Sequence, residues 1–536
     1  MAAKKKSAQA PTSLSIEWSL AELPSAQHRA GLAGLVMFTC WLERQPGKRG
    51  LFRIAHLDDG RATLELDEEG LKFAFDELYS AANEEQPRDA PLKNKQKEIV
   101  TYLRTEEKEV VDKKGAVTKK TVYIYEQVVP RGGFLLELDA GSSGSHGPWI
   151  KLWRDFIWSV MRGVPATREP FDARAEKREA KDAPLAWKQL IDAETPVELP
   201  STYFIGAQAN TAENVGFLDR GRFQVLLHFW PLAATLYVPR VVDPQDGKST
   251  FLGFAVVIPD VARLQTFCDE LPIVLRGRTT KMAGYRPAGS IVDLAAEGAL
   301  DLAARLKKRL AVREGEQATH DLVHGIDVVH MNKEGNNVRV LSTSRFDPER
   351  TVVDEYERVA PLLWDPFFRQ GWLINLLASR PWYKRFDRLL TTLPHKKQGF
   401  GANSFRHDAR QLLEMARETM TEKENVSGDS LEASIFKFVQ TYVLRRTKEK
   451  YGLSWSEVEG TPRERDYRDA KEKIARDAFL AVRSRTGAAF LDYFASTLGS
   501  APQHLGQERF VAFSRALRAD PDDARTLTLL ALSAVA

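Results

Sequence analysis

Three histidines are the chain's best candidates for metal chemistry: His320, His324 and His330, in the segment THDLVHGIDVVHM. The first two are four residues apart. On a helix that spacing puts both rings on one face, as two ligands of one metal require. Asp321 adds a carboxylate beside His320. Gly325, however, breaks any helix here, and IDVVHM then alternates like a strand. No second acidic ligand follows at a matching spacing, so the histidines are expected to be structural or on the surface. The chain also has no GxSxG elbow, no paired CxxC motifs, no Walker motif and no H-N-H nuclease pattern. No catalytic residue, no metal ligand and no cofactor is assigned.

The cations offer a second chemistry, attraction for phosphates and base edges. Arg276, Arg278, Lys281 and Arg286 lie in one stretch, and no acidic residue occurs between Leu271 and Val292. Gly277, Ala283 and Gly284 are small enough to let another backbone come close. Arginine can read guanine through two hydrogen bonds, whereas lysine at a phosphate strengthens binding to all sequences alike. Two further clusters are candidates for nucleic-acid contact: Lys113, Lys114, Lys119 and Lys120 around a hairpin tip, and Arg445 with Arg446 at the end of a helical stripe. Each has an ordinary alternative. Edge lysines deter aggregation of a solvated hairpin, and charged residues commonly finish a helix.

Several elements must position these residues. Phe223 to Val238 is apolar and aromatic, Phe251 to Ile258 is a second apolar run, and DPQDGK lies between them. Two β-favouring runs about an Asp-Gly turn predict a hairpin. Asp260 is then placed to cap a helix with Val261, Leu264, Phe267, Cys268 and Leu271 on one face. Upstream, the pattern predicts a helix over Ala21 to Glu43, strands Leu51–His56 and Ala62–Leu66, a helix near Gly70 to Ser80 and a linker from Ala82 to Pro91. A charged hairpin has arms Glu98–Val111 and Lys119–Val129. FLLELDA reads as a strand, the Gly-rich GSSGSHGP as a loop, and a helix follows from Trp149 with its aromatics in the core. From Asp365 onward the pattern is helical, with Ser454 and Glu457 spaced for a capping box. The fold class is therefore α+β: a mixed α/β N-terminal region over residues 1–365, followed by an all-helical C-terminal bundle over 366–536.

At 536 residues the chain is too long for a single ordinary core. Its composition, 43% apolar and 28% charged, is that of a globular protein without a membrane-length apolar run. The basic start MAAKKKSAQAPTS lacks the apolar segment of a secretory signal. Both cysteines, Cys40 and Cys268, lie in apolar helical patterns and read as buried thiols in a reducing compartment, so a cytoplasmic location is expected. The net charge of +4 is uneven: residues 371–536 hold 27 Lys+Arg against 21 Asp+Glu, so the helical third carries the basic excess.

Longer motifs carry a family resemblance. LLHFWPLAATLYVPRVVD, GFAVVIPDV and GYRPAGSIVDL resemble the large subunit of type I CRISPR Cascade complexes, in the myxobacterial (MYXAN) subtype of the Cas-eight family. GLAGLVMFTCWLER, GPWIKLWRDFIWSVMRGVPATREPFDARA, TYFIGAQANTAENV and GIDVVHMNKEGNNVRVLS resemble it as well, so the likeness covers roughly residues 30 to 345. These are family marks rather than catalytic motifs. The resemblance implies a non-catalytic subunit of a crRNA-guided surveillance complex in antiviral defence. Such a subunit recognises the PAM beside the target in double-stranded DNA and stabilises the R-loop. It helps recruit a separate helicase-nuclease, and its partners are crRNA, the backbone and crRNA 5′-end proteins, and a small subunit. In this light the loop Arg276–Arg286 has two readings, contact with target DNA or a grip on the crRNA handle or a neighbouring subunit. The resemblance also implies that a small helical subunit is sometimes translated from within such a gene; Met415 and Met420 are either the starts of such a product, of 122 or 117 residues, or ordinary helix residues, the reading preferred here. The alternatives are a metal-dependent nuclease or crRNA-processing endoribonuclease, and an interaction protein of myxobacterial development.

Overall fold

The computed structural model of the protein describes residues 11–536 except 94–95, 112–116, 142–146, 162–167, 200–216, 316–321, 336, 393–398, 422–429 and 501–506. The chain forms two compact units. One holds the chain to Pro239 together with Leu252–Pro348, and the other Arg240–Phe251 with Glu349–Ala536.

The first unit is built on an antiparallel sheet in the order Thr235–Val242, Phe254–Val261, Val323–Glu334, Asn337–Phe346, with Ile291–Val292 pairing in parallel with Thr235–Val242. Phe254–Val261 is buried at all eight positions. A strand covered on both faces reads as a continuous apolar run rather than an alternating one. The helix Ala26–Leu42 packs on this strand and is itself buried on nearly every side, which explains its lack of a polar face. It approaches a neighbouring backbone closely through Gly31 and Gly34. A Cβ built on Gly34 would stand 2.1 Å from the carbonyl oxygen of Phe229, and one on Gly31 2.4 Å from that of Leu226. Gly34→Ala is therefore expected to lower unfolding stability by about 1–3 kcal/mol, because backbone rather than a flexible side chain must yield. Chemical denaturation would show this as an earlier midpoint at unchanged slope.

The strands Phe52–Leu57 and Arg61–Leu66, the helix Glu68–Leu78, the charged hairpin Arg104–Val111 with Val117–Pro130, and the helix Pro148–Ser159 all form where the sequence places them. Other segments differ. Residues Phe223–Ala233 form two short helices, Gly221–Leu226 and Trp230–Ala233, rather than the first arm of a hairpin. Pro231 sits in the first turn of the second, where its missing N–H is harmless. The strand begins only at Thr235, and the expected hairpin is the pairing of Thr235–Val242 with Ser249–Phe251. In so apolar a run a buried helix and a buried strand look alike. Inside it, His228 meets the Tyr79 hydroxyl at 2.6 Å, and burial pushes its pKa down to about 3, so it is a neutral core residue.

The expected linker Ala82–Pro91 is largely strand. Ala81–Arg88 pairs with Val117–Pro130, and its charges and proline suit a sheet edge. FLLELDA is not a strand: Gly132, at φ +60°, turns the chain into a short 3-10 helix, Gly133–Glu137. Asp260 lies in strand Phe254–Val261 and caps no helix. Buried there, it accepts bonds from Arg29 at 2.5 Å and Arg345 at 2.7 Å.

Apart from the strand segment Arg240–Phe251, the second unit is helical, as its pattern predicts. Pro521–Val535 is its central helix, buried from Ala524 to Val535 and packed against Asn403–Thr421, Leu431–Tyr451 and Glu464–Arg483. Ser454 precedes the short helix Trp455–Val458 but makes no side-chain cap bond. Met415 lies well inside helix Asn403–Thr421. A product starting there would lack the buried Phe405, Ala409, Leu412 and Leu413.

Candidate nucleic-acid interface

The basic loop is held by the helix Leu264–Arg276, whose buried face is Leu264, Phe267, Cys268, Leu271, Val274 and Leu275. Its N-terminus is capped from a distant turn. Asp59 accepts from the Thr266 backbone N–H and hydroxyl, both at 2.9 Å, and from Arg263 at 3.0 Å. That remote carboxylate does the work expected of Asp260. No local pattern could have shown it, because the two partners are some two hundred residues apart. Arg276 lies in the last turn, where a cation suits the helix dipole.

After Gly277 the chain buckles onto Trp149 of helix Pro148–Ser159. The Trp149 indole N–H donates to the Thr279 carbonyl at 3.0 Å, and the Arg278 guanidinium stacks 3.7 Å from the ring centroid. Burial lowers the Arg278 pKa to about 10, which leaves it charged at neutral pH. A small hairpin then pairs Met282–Ala283 with Arg286–Pro287, closed by Lys281 O accepting from Ala288 N at 2.7 Å. Gly284, with φ +66°, takes the first turn position, where glycine is favoured. Tyr285 stands at the tip, 69% exposed, and Met282 is exposed beside it. The Arg286 guanidinium lies 5.1 Å from the Tyr285 ring and 5.4 Å from that of Phe254.

The four loop cations are therefore not equivalent. Arg276 and Lys281 face solvent. Arg278 and Arg286 are half-buried and hold the hairpin against aromatic rings. Tyr285 joins the two exposed cations. A count of charges passed over it, although the segment GYRP marks a glycine turn that must carry an aromatic at its crest.

The other clusters are partly neutralised or outside the described residues. Lys113 and Lys114 fall outside. Lys119 pairs with Glu107 at 3.2 Å and Lys120 with Asp89 at 2.8 Å, all exposed. Arg445 and Arg446 both reach Glu449 on their own helix, at 2.6 and 3.3 Å. Exposed pairs of this kind contribute about 0.2–1 kcal/mol, little enough for a phosphate to displace the carboxylate.

His320 and Asp321 lie outside the described residues. His324 and His330 are on the strand Val323–Glu334 rather than on a helix, roughly 20 Å apart at ~3.3 Å per residue. His324 is exposed, and His330 meets the Leu252 carbonyl at 2.7 Å. Among the described residues, no group of three or more His, Cys, Asp or Glu side chains is arranged to hold a metal ion. No described helix is long and apolar enough to cross a membrane. Cys268 is buried and Cys40 exposed, so only one of the two expected buried thiols is fully enclosed.

Family comparison matches the chain to two domain models. Residues 51–316 match the N-terminal domain of type I-B CRISPR Cas8b, and residues 323–535 match its C-terminal domain. Together the two models take in nearly the whole chain, and the protein belongs to this family as a large subunit of a type I CRISPR Cascade complex. It therefore works with other Cascade subunits and nucleic acids. No individual curated protein matches the chain.

Proposed function

We propose that this large subunit recognises the PAM and stabilises the R-loop, with the hairpin Met282–Pro287 as its DNA-contacting element. The observation that carries this reading is that Arg276, Lys281 and Tyr285 are all exposed along one acid-free stretch whose loop is braced by Trp149 and Phe254. Cations meet phosphates, an aromatic ring stacks on a base exposed at a duplex end, and an acid-free loop repels neither strand. Lys119, Lys120, Arg445 and Arg446 supply secondary contacts along the nucleic acid, as do Lys113 and Lys114. The myxobacterial subtype, the cytoplasmic setting, contacts with crRNA, the backbone and 5′-end proteins and a small subunit, and recruitment of the helicase-nuclease complete the reading. The helical region 366–536 is taken to follow the DNA in the manner of a small subunit. The decisive experiment is a gel-shift series on assembled Cascade with duplexes that differ only in the PAM: Tyr285→Ala should reduce PAM-dependent binding about tenfold, and an undiminished preference would remove the hairpin from the interface.

The same reading makes the subunit non-catalytic. Purified protein with magnesium or manganese and end-labelled RNA or DNA should leave the substrate intact. Metal-dependent cleavage lost in His324→Ala or His320→Ala would instead establish the nuclease alternative.

A further inference from the structure

A second polar site in the first unit shares no lining residue with the hairpin. It is an open pocket of about 670 Å³ whose charged lining is Arg154, Arg131, Glu77, Glu84 and Glu137, the last already paired with Arg44 at 2.8 Å. Arg154, on the helix Pro148–Ser159, is only 8% exposed. One of its N–H groups reaches the Arg131 carbonyl at 3.0 Å, and its buried Nε has no hydrogen-bond partner. None of its N–H groups meets a carboxylate among the described residues. Burial lowers its pKa, with only the charge of Glu84 acting in the opposite sense. A buried guanidinium left partly unmet costs stability unless something else completes it. Glu77 is also half-buried, and burial raises its pKa. Arg131 stands exposed at the rim.

The pocket thus offers a donor fork and carboxylate acceptors together. An acidic peptide would use the arginine but be repelled by Glu77 and Glu84. Guanine matches both: O6 and N7 accept from an arginine fork, and N1–H and the 2-amino group donate to a carboxylate. Adenine offers a donor where the fork needs an acceptor, and cytosine lacks the O6/N7 pair. We propose that this pocket takes one unpaired guanine base of the bound nucleic acid, held by Arg154 on one edge and by Glu77 or Glu84 on the other, with Arg131 at the phosphate. The proposal rests on the nucleic-acid reading above but concerns a different surface.

The test is titration of the full-length protein with guanosine 5′-monophosphate, followed by calorimetry. It should bind at least tenfold more tightly than adenosine 5′-monophosphate. The 7-deaza analogue, which lacks the N7 acceptor, and inosine monophosphate, which lacks the 2-amino donor, should each lose several-fold. Arg154→Met should erase the guanine preference; if that variant does not fold, Glu84→Gln, Glu77→Gln and the two analogues decide the matter. Equal affinity for guanine and adenine nucleotides, indifference to both analogues, or displacement by a glutamate-rich peptide would each overturn the assignment. PAM-duplex binding by Cascade assembled from the same preparations separates the outcomes. If it persists while the nucleotide result is negative, only the pocket is wrong; if both fail, the nucleic-acid reading fails with it.

Discussion

Arg276→Glu combined with Lys281→Glu should weaken binding of PAM-bearing duplex by about 10- to 100-fold, with little change in melting temperature. Both side chains face solvent, and neither forms an ion pair with another described residue; the exposed bond from Arg276 Nε to the Pro272 carbonyl, at 3.3 Å, is lost without disturbing the core. If each meets one phosphate, the dependence of log K on log salt should become shallower by about two. Arg278→Ala should behave differently. Its guanidinium lies flat on Trp149 and its loop rests on that ring, so the loss should appear first as destabilisation of about 1–2 kcal/mol. Retained affinity in the double glutamate variant, or a fall that comes only with failed assembly on crRNA, would remove the hairpin from the DNA interface and favour a crRNA or subunit contact.

The second large effect is expected at Asp260. It is 3% exposed and receives Arg29 from helix Ala26–Leu42 and Arg345 from strand Asn337–Phe346. Arg29 also donates to the Leu20 and Leu23 carbonyls, so its charge cannot swing out to water without breaking the entry to the helix. Asp260→Ala leaves two guanidiniums facing an empty site. Loss of one partner of a buried pair costs about 3–5 kcal/mol, and the partial exposure of Arg345 places this case near 3 kcal/mol. Asp260→Asn keeps one acceptor and should fall between. Urea unfolding of the three proteins checks the order, and an Ala variant within about 0.5 kcal/mol of the parent would show that the arginines find other partners.

How far the sequence led depended on the range over which each signal acts. Local periodicity placed Phe52–Leu57, Arg61–Leu66 and the charged hairpin correctly, because alternating side chains are written within a few residues. The helical second unit was legible for the same reason. The apolar run Phe223–Val238 misled, since burial on all sides erases the period that tells helix from strand. Asp260 caps no helix and Asp59 caps one in its place, because each acts on a partner distant in sequence. At the candidate interface, charge types were visible but solvent exposure was not. Arg278 and Lys281 look alike in the sequence, yet one braces the loop against Trp149 and the other projects from it.

The sheet of the first unit has a consequence for the order in which the protein can be made. Two of its strands, Val323–Glu334 and Asn337–Phe346, come from the segment that family comparison assigns to the C-terminal domain. Phe254–Val261 therefore leaves the ribosome long before Val323–Glu334 exists to pair with it along its full length. At roughly 5–20 residues per second, this fully buried strand waits on the order of ten seconds with one edge open. During that interval the nascent chain offers an unpaired strand edge, the feature by which chains stick to one another. A family-domain fragment ending near residue 316 would be held permanently in that state, whereas a fragment ending at Pro348 carries the strands that close it.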